Sequence, residues 1–267
     1  MVDLHCHVLP GIDDGAENLE QSLDFCRIAL EDGITTLVAT PHQKPGVFDN
    51  PPEAIRQKLH DLRSAILGAG VQVEIVEGAE VYCTPDLPAR FHSGQVTTIG
   101  GAGRYLLLEL PYQQAPIRVE ETIFQLRLAG ITPVLAHPER IAYFSSDLTR
   151  LEKLVRLGCL SQLTGAALLG GFGEKIRDYC CRIMERSLAH IISSDAHDAV
   201  YRPPVLSRAR EAAAEVVGEE RATQMVSEIP LAVSRGVEWE PWELPPEPPK
   251  DPPGLRSRLR GLFHRRG

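Results

Sequence analysis

The chain has 267 residues and a 43% hydrophobic fraction, enough for one sizeable core, and an α/β barrel fills such a length as a single domain. Its formal net charge of −8 argues against a general nucleic-acid binder, and no nucleic-acid partner is expected. No charged-then-apolar leader opens the sequence and no apolar run approaches the ~20 residues of a membrane span, so neither a cleavable signal peptide nor a spanning helix is expected.

The first stretch predicts a strand. Val2 and Leu4 lie one step out of phase with Asp3, His5 and His7, so the two histidines share a side and both imidazoles can reach one ion. The strand stops at Pro10-Gly11, and Asp13-Asp14-Gly15 adds carboxylates on a turn. A helix is predicted over 17–32, with Leu19, Leu23, Cys26 and Leu30 as its stripe and Gly33 as its stop. Residues 34–39 read as a buried parallel strand ending in Thr40-Pro41-His42. Pro51-Pro52 opens a second helix faced by Ile55, Leu59, Leu62 and Ile66. The unit then repeats. Strands over 71–76, 104–108, 131–136, 159–163 and 189–193 alternate with helices over 117–129, 148–157 and 173–187, and helices near 205–217, 219–227 and from Pro230 complete the globular part.

About seven strands alternating with helices predict a parallel α/β architecture. The chemical residues fall where strands stop. In a barrel of parallel strands those carboxyl ends meet on one face, where sites are built. His5, His7, His42, Glu80, Glu109, His137, Asp195 and His197 are therefore expected as neighbours in space, together with Asp14 from the first turn. Ordinary turn capping explains one or two such acids. It does not explain so many histidines and carboxylates at seven places, and a metal site does. Of the other histidines, His60 falls mid-helix, His92 in a loop, His190 at a strand start and His264 in the tail, and all four read as structural or solvated.

The six cysteines form no CxxC pair and fit reduced thiols in a cytosol. Cys180-x5-Arg186-Ser187 has the spacing of cysteine-dependent phosphatases, which need a loop of backbone amides around a phosphate. Here the intervening residues contain no glycine and continue the helical pattern of Ile176, Tyr179, Cys180, Ile183 and Met184. The spacing is read as chance.

Asp-Leu-His-Cys-His with Asp-Asp-Gly, then Ala-Thr-Pro-His, Glu-Gly-Ala-Glu, Leu-Leu-Glu-Leu, Leu-Ala-His-Pro-Glu-Arg and Ser-Ser-Asp-Ala-His resemble the polymerase-and-histidinol-phosphatase (PHP) superfamily. Within it the sequence is most similar to the bacterial metal-dependent protein-tyrosine phosphatases of capsular and exopolysaccharide gene clusters, over about residues 1–236. The resemblance implies a distorted (β/α)7 barrel carrying two or three divalent ions, manganese first, with iron or zinc as alternatives. It implies His5, His7, Asp14, His42, Glu80, Glu109, His137, Asp195 and His197 as ligands, with Glu80 suited to bridging because a carboxylate has two oxygens. Cys6 faces away from the histidines and is read as core. Arg140 and Arg202 resemble the family's phosphate-contacting arginines, whose forked, permanent charge fits phosphate oxygens. Lys44 is a weaker candidate, since Gln43-Lys44-Pro45-Gly46-Val47-Phe48 departs from members with a basic pair there. The implied reaction is hydrolysis of phosphotyrosine by a metal-activated hydroxide, on a tyrosine-phosphorylated kinase of polysaccharide synthesis. Two alternatives stay open: a small-molecule phosphomonoesterase of the histidinol-phosphatase type, and a metal-stabilised module that binds a kinase without catalysis.

Residues 1–240 are thus assigned to the catalytic barrel. Residues 241–253 are too proline-rich for helix or ladder and read as an extended spacer. Over 254–267, Leu255, Leu259, Leu262 and Phe263 recur at helical spacing among Arg256, Arg258, Arg260, Arg265 and Arg266. Such a basic amphipathic end suits an anionic membrane surface or an acidic patch on a partner. A cytoplasmic protein, peripheral at the inner face of the membrane, is the expectation.

Overall fold

The computed structural model describes residues 1–244; the proposed basic helix at 254–267 and nearly all of the proline-rich spacer lie outside them. Among the described residues, nine strands, all paired in parallel, form two sheets. The first joins β1 (Val2–Cys6), β2 (Thr36–Ala39) and β4 (Glu74–Glu77); the second runs β3 (His42–Gln43), β5 (Glu80–Tyr82), β6 (Tyr105–Glu109), β7 (Thr132–Ala136), β8 (Leu160–Thr164) and β9 (Ile191–Ser193). The expectation of an α/β protein with parallel sheets holds. Seven strands become nine because two of them break: β2 passes into β3 through Thr40-Pro41, and β4 into β5 through Gly78-Ala79. Proline cannot donate to the ladder at the first break. At the second, a Cβ on Gly78 would lie 2.8 Å from the Val38 side chain, so the chain needs glycine there to pass its neighbour. Beyond β9 the chain returns to β1: the Asp195 amide donates to the His5 carbonyl at 2.9 Å and the His7 amide to the Ala196 carbonyl at 3.0 Å.

The helices follow their predicted signals. In α1 (Leu19–Glu31), Asn18 caps the first turn by accepting from the Gln21 amide. α2 (Pro52–Ala69) begins on proline and ends at Gly70, whose φ of 67° is the left-handed conformation of a helix stop. α3 (Leu87–His92) is a short helix where a loop was expected, so His92 ends a helix. Then come α4 (Val119–Leu128), α5 (Ala142–Ser146), α6 (Leu148–Arg156), α7 (Gly165–Leu168), α8 (Glu174–Glu185), α9 (Ser207–Val217), α10 (Glu219–Val226) and α11 (Glu228–Ser234).

The core has two parts. The larger lies between strands and helices. The smaller gathers Leu4, Val38, Val76, Leu107, Val134, Leu160 and Ile191, one from each of seven strands, with Ile229 and Val233 of α11 closing it. A β-bulge decides what β1 gives to each. Asp3 pairs with Leu37 but Cys6 pairs with Ala39, so β1 carries one extra residue there. Strict alternation would keep Leu4 and Cys6 together, whereas the bulge places Leu4 in the inner cluster and Cys6 in the outer one.

The C-terminal strap is docked as far as it is described. Trp242 stacks on His190 with centroids 5.7 Å apart and planes 8° off parallel, and the Arg221 guanidinium sits 3.7 Å from the Trp242 ring. Trp242 and Leu244, the first large apolar residues of the stretch assigned to the spacer, pack against the main core.

Candidate metal centre

Every chemical residue sits at or just beyond a strand's carboxyl end, or at the start of a continuation strand. His5 lies in β1 and His7 follows it; His42 opens β3, Glu80 opens β5 and Glu109 ends β6; His137 follows β7, and Asp195 and His197 follow β9. Asp14 comes from the first turn, which folds back over β1. That approach fixes Gly15: a Cβ there would lie 2.1 Å from the His7 carbonyl oxygen. Two site residues hold unusual backbone, His137 at φ 34° and Asp195 at φ 53°. Non-glycine residues pay roughly 1–2 kcal/mol for that region, and such strain gathers where side chains must be aimed.

The structure brings all nine predicted ligand residues together. His5 Nε2 is 3.2 Å from His7 Nε2, 3.4 Å from Glu80 and 3.3 Å from Asp195. His7 Nε2 lies 3.5 Å from Asp195, and His42 Nδ1 lies 3.0 Å from Glu80 and 3.9 Å from Glu109. His42 Nε2 and His197 Nε2 each stand 3.5 Å from the same Asp14 oxygen. His137 Nε2 meets the other Glu80 oxygen at 2.7 Å. Three overlapping groups could each hold an ion: His7, Asp14, His42 and His197; His5, His7 and Glu80; and His42, Glu80 and Glu109. Glu80, His7 and His42 each belong to two of them.

The donors fit divalent ions on three counts. Ligands about 2.1 Å from one ion stand about 3.0–3.5 Å from each other, the spacing seen here. The Nδ1–H groups are tied elsewhere: His5 donates to Gln162 Oε1 at 2.9 Å, His7 to Asp13 at 2.7 Å and His197 to the Asp195 carbonyl at 2.9 Å. Their Nε2 atoms therefore face inward, and those of His5 and His7 face each other at 3.2 Å, an approach that a shared proton or a bound cation relieves. Buried Glu109 Oε2 has no hydrogen-bond partner, an arrangement that costs free energy unless an ion completes it. A set of imidazoles and carboxylates without thiolate suits manganese, iron or zinc in an open site.

Electrostatics agree. Burial alone would raise the acids, yet the imidazoles around Glu80 and Asp195, with Arg202 beside Asp195, hold both carboxyls well below their ordinary values. Burial resists protonation of His5, and Glu80 and Asp195 outweigh it, so its pKa is raised. At Glu109 burial wins, helped by the charge of Glu80, and the pKa rises. The pocket is thus an acidic nest built to hold positive charge.

Arg140 and Arg202 reach the same Asp195 oxygen at 2.7 Å and 2.6 Å, with side chains about a fifth to a quarter exposed. Both line the open cleft of about 200 Å³ over the cluster. Arg140 is clamped between aromatic faces, 5.2 Å from the Tyr112 centroid and 5.0 Å from that of Phe172. Lys44 lies 3.5 Å from Glu109 and over the Tyr82 ring. Phe48 stacks on His42, and Tyr112 on His137. Sequence reasoning missed Asp13, Gln162, Phe48, Tyr112 and Phe172. Asp13 was visible on the metal turn, and Gln162 was a lone amide in an apolar strand. The aromatic residues gave no signal, because their role depends on which loops meet. The thiol route stays closed: Cys180 is fully buried in α8, and burial raises its pKa far above the ordinary thiol value.

An α/β scaffold with overlapping imidazole–carboxylate groups at the ends of parallel strands defines a class of protein able to hold divalent metal ions there. The family model for capsular polysaccharide synthesis, CpsB/CapC, matches residues 1–234. The chain belongs to that family. It is 33% identical over 202 residues to the tyrosine-protein phosphatase YwqE of Bacillus subtilis, covering 76% of this chain and 79% of that protein. It is 28% identical over 238 residues to the tyrosine-protein phosphatase CpsB of Streptococcus pneumoniae, covering 87% of this chain and 98% of that one. A solved structure from work on YwqE and CpsB, described as metal-dependent tyrosine phosphatases, superposes with a TM-score of 0.86 at 30% identity, over 89% of this chain and 96% of the other.

Proposed function

We propose that this chain is a metal-dependent protein-tyrosine phosphatase that hydrolyses phosphotyrosine on a kinase controlling capsule or exopolysaccharide synthesis. The observation that carries this reading is the convergence of nine histidine and carboxylate side chains beneath two arginines that share one Asp195 oxygen. His5, His7, Asp14, His42, Glu80, Glu109, His137, Asp195 and His197 are the proposed ligands of two or three ions, manganese first and iron or zinc as alternatives. The parallel strands, with β9 leading back to β1, fit a distorted (β/α)7 barrel over residues 1–240.

When bound, such ions make water acidic enough to act as a nucleophile near neutral pH and neutralise charge on a phosphoryl group. The chain's own residues do the rest. Arg140 and Arg202 orient the phosphate with the N–H groups that Asp195 leaves free, and hold the charge that builds on its oxygens. Asp13 and Gln162 fix the tautomers and ring orientations of His7 and His5. Phe48 and Tyr112, each stacked on a proposed ligand at the cleft, offer apolar flanks for an aryl ring, which favours phosphotyrosine over a small aliphatic phosphate. A phenolate leaves readily, so a strong general acid is not required.

A rate comparison on a phosphotyrosyl peptide and on histidinol phosphate, with the metal-loaded protein, tests this. The peptide is expected to turn over far faster. Faster turnover of histidinol phosphate would select the metabolite reading, and no turnover of either would select a binding module.

A further inference from the structure

A second depression adjoins the metal cleft. It holds about 470 Å³ and lies between the loop carrying Pro45 to Pro52 and the Arg90–Gln95 stretch that ends α3. Lys44 and Phe48 line both it and the cleft over the metal ligands, so the two are neighbours, and an extended chain with its phosphorylated side chain in the cleft has this groove beside it.

The charges in the groove are mostly taken. Lys44 pairs with Glu109, Glu53 pairs with Arg56 at 2.8 Å, and Asp49 accepts from the Gly46 amide at 2.8 Å. Arg90 differs. Its guanidinium reaches only the Thr84 hydroxyl, at 3.5 Å, and has no carboxylate partner among the described residues. A partly buried arginine lining a groove, on a chain of net negative charge, is an address for a carboxylate.

Building on the phosphatase reading, we infer that this groove is the subsite for the residues flanking the phosphotyrosine, and that Arg90 selects substrates with an acidic residue near the phosphorylated tyrosine. Proline-rich walls, from Pro45, Pro51 and Pro52, present a preformed surface that loses little entropy on binding. Arg90 is a specificity residue here and takes no part in the chemistry at the metals.

The test uses the full-length, manganese-loaded protein, a phosphotyrosyl peptide with glutamates on both sides of the tyrosine, the same peptide with glutamines, and p-nitrophenyl phosphate. The wild type is expected to favour the glutamate peptide by about fivefold in kcat/KM, through KM, the size a half-exposed ion pair supports. R90A should lose that preference and R90E invert it, with p-nitrophenyl phosphate turnover unchanged in both. A wild type blind to glutamate, an R90A variant that keeps the preference, or a parallel fall on p-nitrophenyl phosphate would each overturn the inference while leaving the phosphatase reading intact. Failure of the loaded wild type on all three substrates would instead overturn that reading, and this subsite with it.

Discussion

At the scale of single residues, the site is an arrangement of lone pairs that ordinary hydrogen bonding does not satisfy. His42 bridges two of the three candidate ion groups, so His42→Ala should lower turnover on a phenyl phosphate by about three orders of magnitude, as loss of shared metal chemistry would. Wild-type turnover in that variant would remove the metal account. Asp13 belongs to none of the candidate ion groups but accepts from His7 Nδ1 and from the His42 amide. Asp13→Ala should weaken metal affinity about 10–100-fold while the fold survives, read by titrating manganese into the stripped protein. Unchanged affinity would show that orientation of His7 does not matter. Most of this was legible in the residues themselves, because histidines and acids stand at six of the seven predicted strand ends, all but that of 159–163, and nowhere else so regularly. The supporting residues were not. Gln162 and Tyr112 acquire their roles only through contacts between strands or loops far apart in the chain.

At the scale of elements, local signals set helices and strands well where a cap or a stop is present, as at Asn18, Pro52 and Gly70. They fail where tertiary contact decides. The bulge in β1 and the breaks at Thr40-Pro41 and Gly78-Ala79 depend on pairing and close approach between strands, and period-two reading of a single strand contains no such information. The docked strap offers a test at this scale. His190 is fully buried, accepts from the Ser161 amide at 3.1 Å and stacks on Trp242. Burial first, and then the charge of Arg221, push its pKa from 6.5 down to about 3. Between those values the unfolded chain takes up a proton that the folded chain refuses, so stability falls as pH falls. From pH 6.5 to pH 5 this contributes a loss of about 2 kcal/mol. Urea unfolding of metal-stripped protein should show it, and His190→Leu, though less stable at pH 7, should lose that much less over the same interval. Parallel pH curves for the two proteins would show that His190 is not the group responsible.

At the scale of the whole molecule, the catalytic body and the basic end are proposed as separate devices, one for chemistry and one for place. The basic end is proposed to bind an anionic membrane surface. Co-sedimentation with vesicles containing anionic lipid should pellet the full chain and not a form ending at residue 253; equal pelleting would end that idea. The α/β class was readable from the alternation of apolar runs, whereas the division into two sheets was not, since it turns on kinks of one or two residues. The central claim is that nine distant side chains act as one ion-binding unit, and it has a direct measurement. Protein stripped by chelator is titrated with manganese while bound metal and phosphotyrosyl-peptide turnover are followed together. The account predicts no turnover without metal, and turnover that rises as two or more ions bind per chain; full turnover by the stripped protein would contradict it.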